Sequence, residues 1–226
     1  MSLPPAIAQW RKAERARLIA RRLAASPAEH AQWSARIEAL VQAGFALLGR
    51  MTIGLCWPYQ GEFDARSLVR SFRRRGARAV LPVVLAKGAP LEFREWWPGV
   101  AMLNGVFDLP VPDGTAILQP GALLIPAVGI GVRGDRLGYG GGFFDRTLAA
   151  LAPKPLCIGI AFELSRIPTT NPQPHDVLMD FVVTESGIEA AVPDGLKPIP
   201  ADECARRVEA LARARGLWRD AAAASA

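Results

Sequence analysis

The stretch from Gly134 to Arg146, G-D-R-L-G-Y-G-G-G-F-F-D-R, places five glycines within nine residues. Glycine is costly to order and adds no side chain to a core. A cluster this dense predicts backbone that turns tightly or lies against a bound group. Arg133, Arg136 and Arg146 flank the glycines, and successive N–H groups in such a turn form an anion-binding concavity. The apolar run ALLIPAVGI before it reads as a buried strand, and FFDRTLAAL after it reads as a helix. The loop therefore ends at a helix N-terminus, where the backbone favours an anion such as phosphate. Asp145 at the helix start supplies a hard oxygen for a magnesium ion carried on phosphates. The loop has no G-K-S/T, and position 143 is Phe, so neither the Walker A nor the G-x-G-x-x-G pattern is met.

The surrounding chain sets the architecture. MTIGLCW (51–57) and ARAVLPVVL (77–85) read as strands joined by a helix over ARSLVRSFRRRG. Strand, helix, strand is a βαβ unit and implies a parallel sheet, with ligands outside the carboxyl ends of the strands. PLCIGIAF (155–162) and MDFVVTE (179–185) add two more strands. Residues 5–25 and a second segment, capped by Ser26 and running to about Leu48, are helical. Leu91–Trp96 reads as a strand beside the sheet, and adjacent Trp96 and Trp97 then point to opposite faces. Residues 100–121 read as an ordered connection. A helix is expected over 201–217, with a flexible tail after it.

The fold class expected is therefore an open α/β/α sandwich with a mostly parallel sheet. Residues 1–190 form one domain, with helices 5–48 at its start, and 191–226 are a C-terminal extension. At 226 residues with half of them apolar, the chain buries a core without staples. Three scattered cysteines and two histidines argue against a disulfide framework, a zinc site or a histidine-based metal site. Neither a signal peptide nor an apolar membrane span is recognised, so a cytoplasmic, monomeric protein is expected.

The formal net charge is +6 and the pI about 9.8. Arginines concentrate at 11–22 and 70–78 without interleaved aromatics for base stacking. Small anionic ligands are therefore favoured over nucleic acid, which stays as an alternative carried by Arg73–Arg75. Arg11 and Arg15 lie four apart on the first helix and share a face suited to a polyanion; the other arginines there, Arg22 included, read as a solvated surface. In the loop 58–64, at the carboxyl end of the first strand, Tyr59, Glu62 and Asp64 are candidates for substrate contact, although Asp64 also suits a helix cap.

GDRLGYGGGFFDR, preceded by LLIPAVGI and followed by IGIAFE and HDVLMDFVVTE, resembles the 5-formyltetrahydrofolate cyclo-ligases. WPYQGEFD, LPVV, PLEFREWWPG and FDLPVP fit the same family in the same order over about residues 8–186. The resemblance implies a sheet related to that of ribose-5-phosphate isomerases and CoA transferases. It implies ATP- and Mg2+-dependent closure of 5-formyltetrahydrofolate, with or without a polyglutamate tail, to 5,10-methenyltetrahydrofolate, with ADP and phosphate released. A divergent ATP- or anion-binding member with an altered substrate, and a sugar-phosphate isomerase that needs no ATP, are the other readings. By the resemblance, Arg11, Arg15, Arg136, Leu137, Gly138, Tyr139, Gly140, Gly141, Gly142, Phe143 and Phe144 bind ATP. Tyr59, Glu62, Asp64 and Trp97, with Tyr139 to Phe143, hold the folate. Asp145 and Asp176 hold the metal, and Arg136, Tyr139 and Arg146 serve the chemistry. Four positions depart from the family's pattern: Arg11 stands where lysine is frequent, Phe144 where tyrosine is frequent, and Ile130-Gly131 where Phe-Asp is common.

Overall fold

The structure, a computed structural model, describes residues 4–217. Its first two helices are α1 (Pro5–Leu23) and α2 (Pro27–Gly44). Ser26 Oγ accepts from Glu29 N–H while the Glu29 carboxylate accepts from Ser26 N–H, with Pro27 at the first helical position. This reciprocal cap satisfies two helix-end donors and fixes where α2 starts. A 3-10 turn, Ala46–Arg50, then leads into the sheet.

The β-strands are β1 (Thr52–Gly54), β2 (Arg78–Val83), β3 (Glu92–Glu95), β4 (Met102–Asn104), β5 (Pro110–Pro112) and β6 (Ala122–Pro126). They continue with β7 (Gly129–Ile130), β8 (Arg136–Leu137), β9 (Leu156–Ile160), β10 (Phe181–Thr184), β11 (Gly187–Val192) and β12 (Gly195–Ile199). The later helices are α3 (Arg66–Arg73), α4 (Phe143–Ala150) and α5 (Ala201–Ala214). Eight strands form one sheet in the order β12-β11-β10-β9-β6-β1-β2-β3. The inner strands β10, β9, β6, β1 and β2 pair in parallel, and β3, β11 and β12 are antiparallel. β9 and β10 are buried along their whole length, as expected for parallel strands covered on both faces.

Helices α2, α3 and α5 cover one face through Ile37, Val41, Leu68, Phe72, Cys204 and Val208. On the other face Leu148 of α4 packs with Val80, Leu123, Ile125 and Val182. Helix α1 lies elsewhere: Leu18 packs on Val128, Leu137 and Ile167, so it crosses segments at the carboxyl ends of the strands. From β1 the chain moves to β2 on one side and later to β6, β9 and β10 on the other. The winding direction changes between β1 and β6, and the loops that leave their carboxyl ends open a crevice there.

The observed topology departs from the sequence reading in three places. The apolar run 122–130 is not one strand. It leaves the sheet at Pro126, and Gly129–Ile130 pairs instead with Arg136–Leu137. Residues 102–112 are an antiparallel hairpin rather than an irregular connection. The boundary set near 190 falls inside β11, whose register with β12 runs from Ile188↔Ile199 to Val192↔Gly195. The turn between them is P-D-G, a hairpin signal flanked by apolar residues. Helix α5 follows at once and buries Cys204, Val208 and Ala212, and Arg215 ion-pairs with Asp180 at 2.6 Å. The tail expected after 217 lies outside the described residues.

The C-terminal third of the sheet is thus part of the core. A chain ended after residue 190 exposes Ile188 and the face that α5 covers. It is expected to lose its cooperative thermal transition and its native near-ultraviolet circular dichroism; a truncated chain that still melts cooperatively would show the extension to be dispensable.

Candidate functional site

Helix α1 is the anchor of the site. Arg11, Arg15, Leu18 and Arg22 are spaced 4, 3 and 4 apart, so they share one face of a 3.6-residue helix. Arg11 is buried; its Nε donates to Thr170 O at 3.0 Å and its Nη2 to Asn171 O at 3.0 Å and to Asp176 at 2.5 Å. Arg15 Nε donates to Gly138 O at 2.6 Å. Its guanidinium underlies Gly140, where an added Cβ would stand 3.2 Å from the guanidinium carbon. Arg22 is 3% exposed and donates from Nε to Gln60 O (2.9 Å) and from Nη2 to the Tyr139 hydroxyl (2.8 Å). One helix face therefore grips three segments: 59–62, 138–140 and 170–176.

The glycine loop needs its glycines. Gly140 and Gly142 have φ of +95° and +63°, a region L side chains rarely adopt. Gly142 is the N-cap of α4 and no side chain caps the helix, so its first N–H groups face the loop side without a side-chain acceptor. Arg146 folds back to donate to Gly141 O at 2.5 Å, while its Nε is buried without a partner among the described residues. The pKa of Arg15 is lowered, first by burial and then by the Arg11 charge. Two crowded guanidinium groups, an unpartnered arginine donor and an open helix N-terminus together favour an anion.

Beside the loop, Tyr139 donates to Glu62 Oε1 at 2.8 Å and receives Arg22. Glu62 is 6% exposed and also accepts Tyr59 N–H at 3.1 Å. Burial pushes the Glu62 carboxyl up, opposed by the Tyr139 bond, the Arg22 charge and the Tyr59 N–H. The Tyr139 phenol is likewise raised, by burial first and by Glu62 second. The Tyr59 and Tyr139 rings meet edge to face with centroids 5.4 Å apart. The loop after β1 and the glycine loop thus close on each other at the crevice.

Asp145 and Asp176 come to the same neighbourhood. Asp145 Oδ1 accepts from Arg136 Nη2 at 2.8 Å and from Val177 N at 3.1 Å. Asp176 Oδ2 accepts from Arg11 and Gln173 N. The second oxygen of each has no hydrogen bond among the described residues. No group of three His, Cys, Asp or Glu suited to a metal occurs there. Two carboxylate oxygens without hydrogen bonds, one on Asp145 and Oδ1 of Asp176 with His175 Nε2 3.7 Å away, fit a magnesium ion that arrives with phosphates and water, and do not fit an all-protein cage.

Several candidates take other places. Trp97 does not border the crevice. β3 runs antiparallel to β2, and Trp96 N–H bonds Ala79 O near the start of β2, so the chain has returned to the opposite end of the sheet by Trp97. Trp96 is buried and Trp97 exposed, as the alternation requires. Asp64 is held by Arg66 at 2.6 Å, and Arg66 stacks on Trp57 at 4.2 Å, so Asp64 serves its own turn rather than the crevice. Arg136 is held by Asp145 and by Val177 O (2.8 Å), which makes it a brace between the loop and 177.

Two residues were missed. Arg22 reads as surface charge, although its spacing from Leu18 places it on the buried stripe. Phe107, at the tip of the β4–β5 hairpin, is 65% exposed and lies 6.3 Å from the Phe143 ring. It brings to the glycine loop the aromatic surface expected of Trp97.

Arg22→Lys removes a two-point grip that a single ammonium does not reproduce. Activity of the site is expected to fall about tenfold or more, because a charged hydrogen bond contributes about 1.5–3 kcal/mol. Glu62 gives a signed pH effect. Its folded value lies above the ordinary 4.5, so its unfavourable contribution is absent below the ordinary value, grows as pH rises from there to the folded value, and is constant above it. Melting temperatures of the wild type and Glu62→Gln, measured from pH 4 upward, should diverge with the variant gaining; parallel curves would count against a buried, raised carboxyl.

Known proteins resemble this chain in sequence and in fold. Residues 7–185 match the model of the 5-formyltetrahydrofolate cyclo-ligase family. The chain is 31% identical over 150 residues to a 5-formyltetrahydrofolate cyclo-ligase of Mycolicibacterium smegmatis, covering 63% of this chain and 77% of that protein. It is 28% identical over 144 residues to the cyclo-ligase of Escherichia coli K12, covering 61% and 79%. The fold matches a 5,10-methenyltetrahydrofolate synthetase from Aquifex aeolicus with a TM-score of 0.70 at 21% identity, covering 84% and 96% of the two chains. It matches another from Mycoplasma pneumoniae with a TM-score of 0.65 at 23% identity, covering 77% and 98%. With a glycine loop, a basic helix face and a buried Tyr–Glu pair at the switch of an open sheet, and with most of its length matched, this chain belongs to the 5-formyltetrahydrofolate cyclo-ligase family.

Proposed function

We propose that the protein closes 5-formyltetrahydrofolate to 5,10-methenyltetrahydrofolate at the expense of ATP, with the γ-phosphoryl group delivered to the formyl oxygen at the glycine loop. The observation that carries the reading is the junction of loop 59–62 with loop 138–146 through Tyr139, Glu62 and Arg22. It puts an anion cradle beside a crevice with a buried acid. The formyl oxygen on nitrogen 5 is a poor leaving group. Its attack on the γ-phosphorus releases ADP and leaves an iminium phosphate. Nitrogen 10 then forms the new C–N bond and loses its proton, the C–O bond breaks, and inorganic phosphate leaves the methenyl cation.

The chain's own residues position and neutralise. Arg11 and Arg15 line the triphosphate side, and the α4 N-terminus with Arg146 faces the transferred group. Among the three loop arginines, Arg146 is the one with an unsatisfied buried donor. Asp145 and Asp176 would hold Mg2+, which supplies charge neutralisation between phosphate oxygens. Glu62, with Tyr139, presents a hydrogen-bonding edge to a folate ring, and Phe107 and Phe143 offer flat apolar surface.

Purified protein with Mg2+, ATP and 5-formyltetrahydrofolate is expected to produce the near-ultraviolet absorbance of the methenyl product, with none when ATP is omitted. Absence of the signal in the complete mixture would overturn the reading. Arg146→Ala is expected to lower kcat about 10²-fold or more, the scale of losing one preorganised donor to transition-state charge, with thermal stability kept. An unchanged kcat would remove Arg146 from the phosphoryl group.

A further inference from the structure

The structure assigns to Asp135 the part of a positioning residue: its carboxylate, entering from across a turn into the space a side chain at Gly131 would fill, fixes the backbone that holds Arg11. The inference rests on the reading of Arg11 as a phosphate-side group and deepens it.

Asp135 sits in the turn between β7 and β8 and is 2% exposed. Oδ2 accepts from Thr170 N–H at 3.1 Å and from the Thr170 hydroxyl at 2.6 Å, and Oδ1 accepts from Arg133 N–H at 3.3 Å. No Arg, Lys or His lies within ion-pair distance of it among the described residues. A buried carboxylate without a countercharge is expensive, and neutral donors repay only part of that cost. A turn that needed only to turn would be served by a residue with no charge. Asp135 is therefore retained for what its oxygens hold, and they hold Thr170, itself fully buried.

The next link is the carbonyl of that same residue. Thr170 O receives Arg11 Nε, and Asn171 O, at a residue with φ of +52°, receives Arg11 Nη2. A left-handed asparagine is uncommon and persists where its neighbours fix it. Asp135, Thr170 and Arg11 therefore form one chain of contacts from the glycine-loop hairpin to the helix that faces the phosphates. Arg11 in turn meets Asp176, one of the two carboxylates placed for magnesium.

Gly131 explains why the carboxylate comes from position 135. A Cβ on Gly131 would stand 2.1 Å from Asp135 Oδ2, 2.5 Å from its Cγ and 2.5 Å from Oδ1. The two positions compete for a single volume, and Gly131 N–H also bonds Asp135 O at 2.9 Å, closing the turn. The carboxylate of Asp135 thus fills, from four residues later, the volume toward which a side chain at position 131 would point.

The test uses the full chain with Asp135→Ala, Gly131→Asp, and the double variant Gly131→Asp with Asp135→Ala. Three readouts are taken: the Arg11 Nε–H signal and its solvent exchange by NMR, KM for ATP against kcat, and the melting temperature. Asp135→Ala is expected to speed exchange at Arg11 Nε–H about tenfold or more and to raise KM for ATP about tenfold, the effect of one weakened charged hydrogen bond. Gly131→Asp alone crowds two carboxylates into one volume and should melt lower. The double variant is expected to recover the Arg11 signal and most of the ATP affinity. Unchanged Arg11 exchange in Asp135→Ala, or a fall in melting temperature with KM for ATP untouched, overturns the proposal, as does a double variant no better than Asp135→Ala. If the wild type forms no methenyl product, the functional reading fails by itself, and the Arg11 exchange still decides the part played by Asp135.

Discussion

The site depends on arginines that bind backbone carbonyls. Arg11, Arg15 and Arg22 each send Nε to a main-chain oxygen, of Thr170, Gly138 and Gln60. Loops at the carboxyl ends of parallel strands have no ladder to fix them, and their carbonyls need donors once buried. A guanidinium supplies several donors in a rigid fork and stays charged at any relevant pH. One helix face can therefore shape three loops and still leave positive potential at the place where they converge. Leu18, fully enclosed by Val128, Leu137 and Ile167, sets the depth at which that face docks.

This arrangement explains the division of labour among charged groups of one type. Arg136 is spent on the Asp145 carboxylate and the Val177 carbonyl and acts as a brace. Arg146 keeps a buried donor without a partner. Glu62 is held largely by neutral groups and the hydroxyl that Arg22 also grips, in a volume dry enough to raise its carboxyl. Burial thus sets which groups are structural and which remain available for a ligand, more than their identity does.

Much of the frame was legible in the sequence because it rests on local rules. The glycine cluster between a buried run and a helix, the Ser26 cap, the βαβ unit and the opposite facing of Trp96 and Trp97 all follow from periodicity and turn chemistry. What failed required knowledge of direction and register. The resemblance sets Trp97 at the folate, and LEFREW reads as a strand without revealing that it runs backwards. The β11–β12 hairpin announced itself in P-D-G but lay beyond the matched motifs. Arg22 shows in the sequence only by its spacing from Leu18, and Asp135 carries no signal of its own: an aspartate in a turn is ordinary until its partner, 35 positions away in the chain, is known.

Those separations bear on how the molecule is made. Arg11 binds carbonyls 159 and 160 positions later, and Arg22 meets Tyr139 after 117. During synthesis α1 leaves the ribosome well before most of the segments it binds. For most of that time its arginines and Leu18 face water, and the sheet can assemble through its shorter-range parallel pairs before α1 docks. The crevice is consequently a late product of folding, and damage to α1 would be felt there before it is felt in the core.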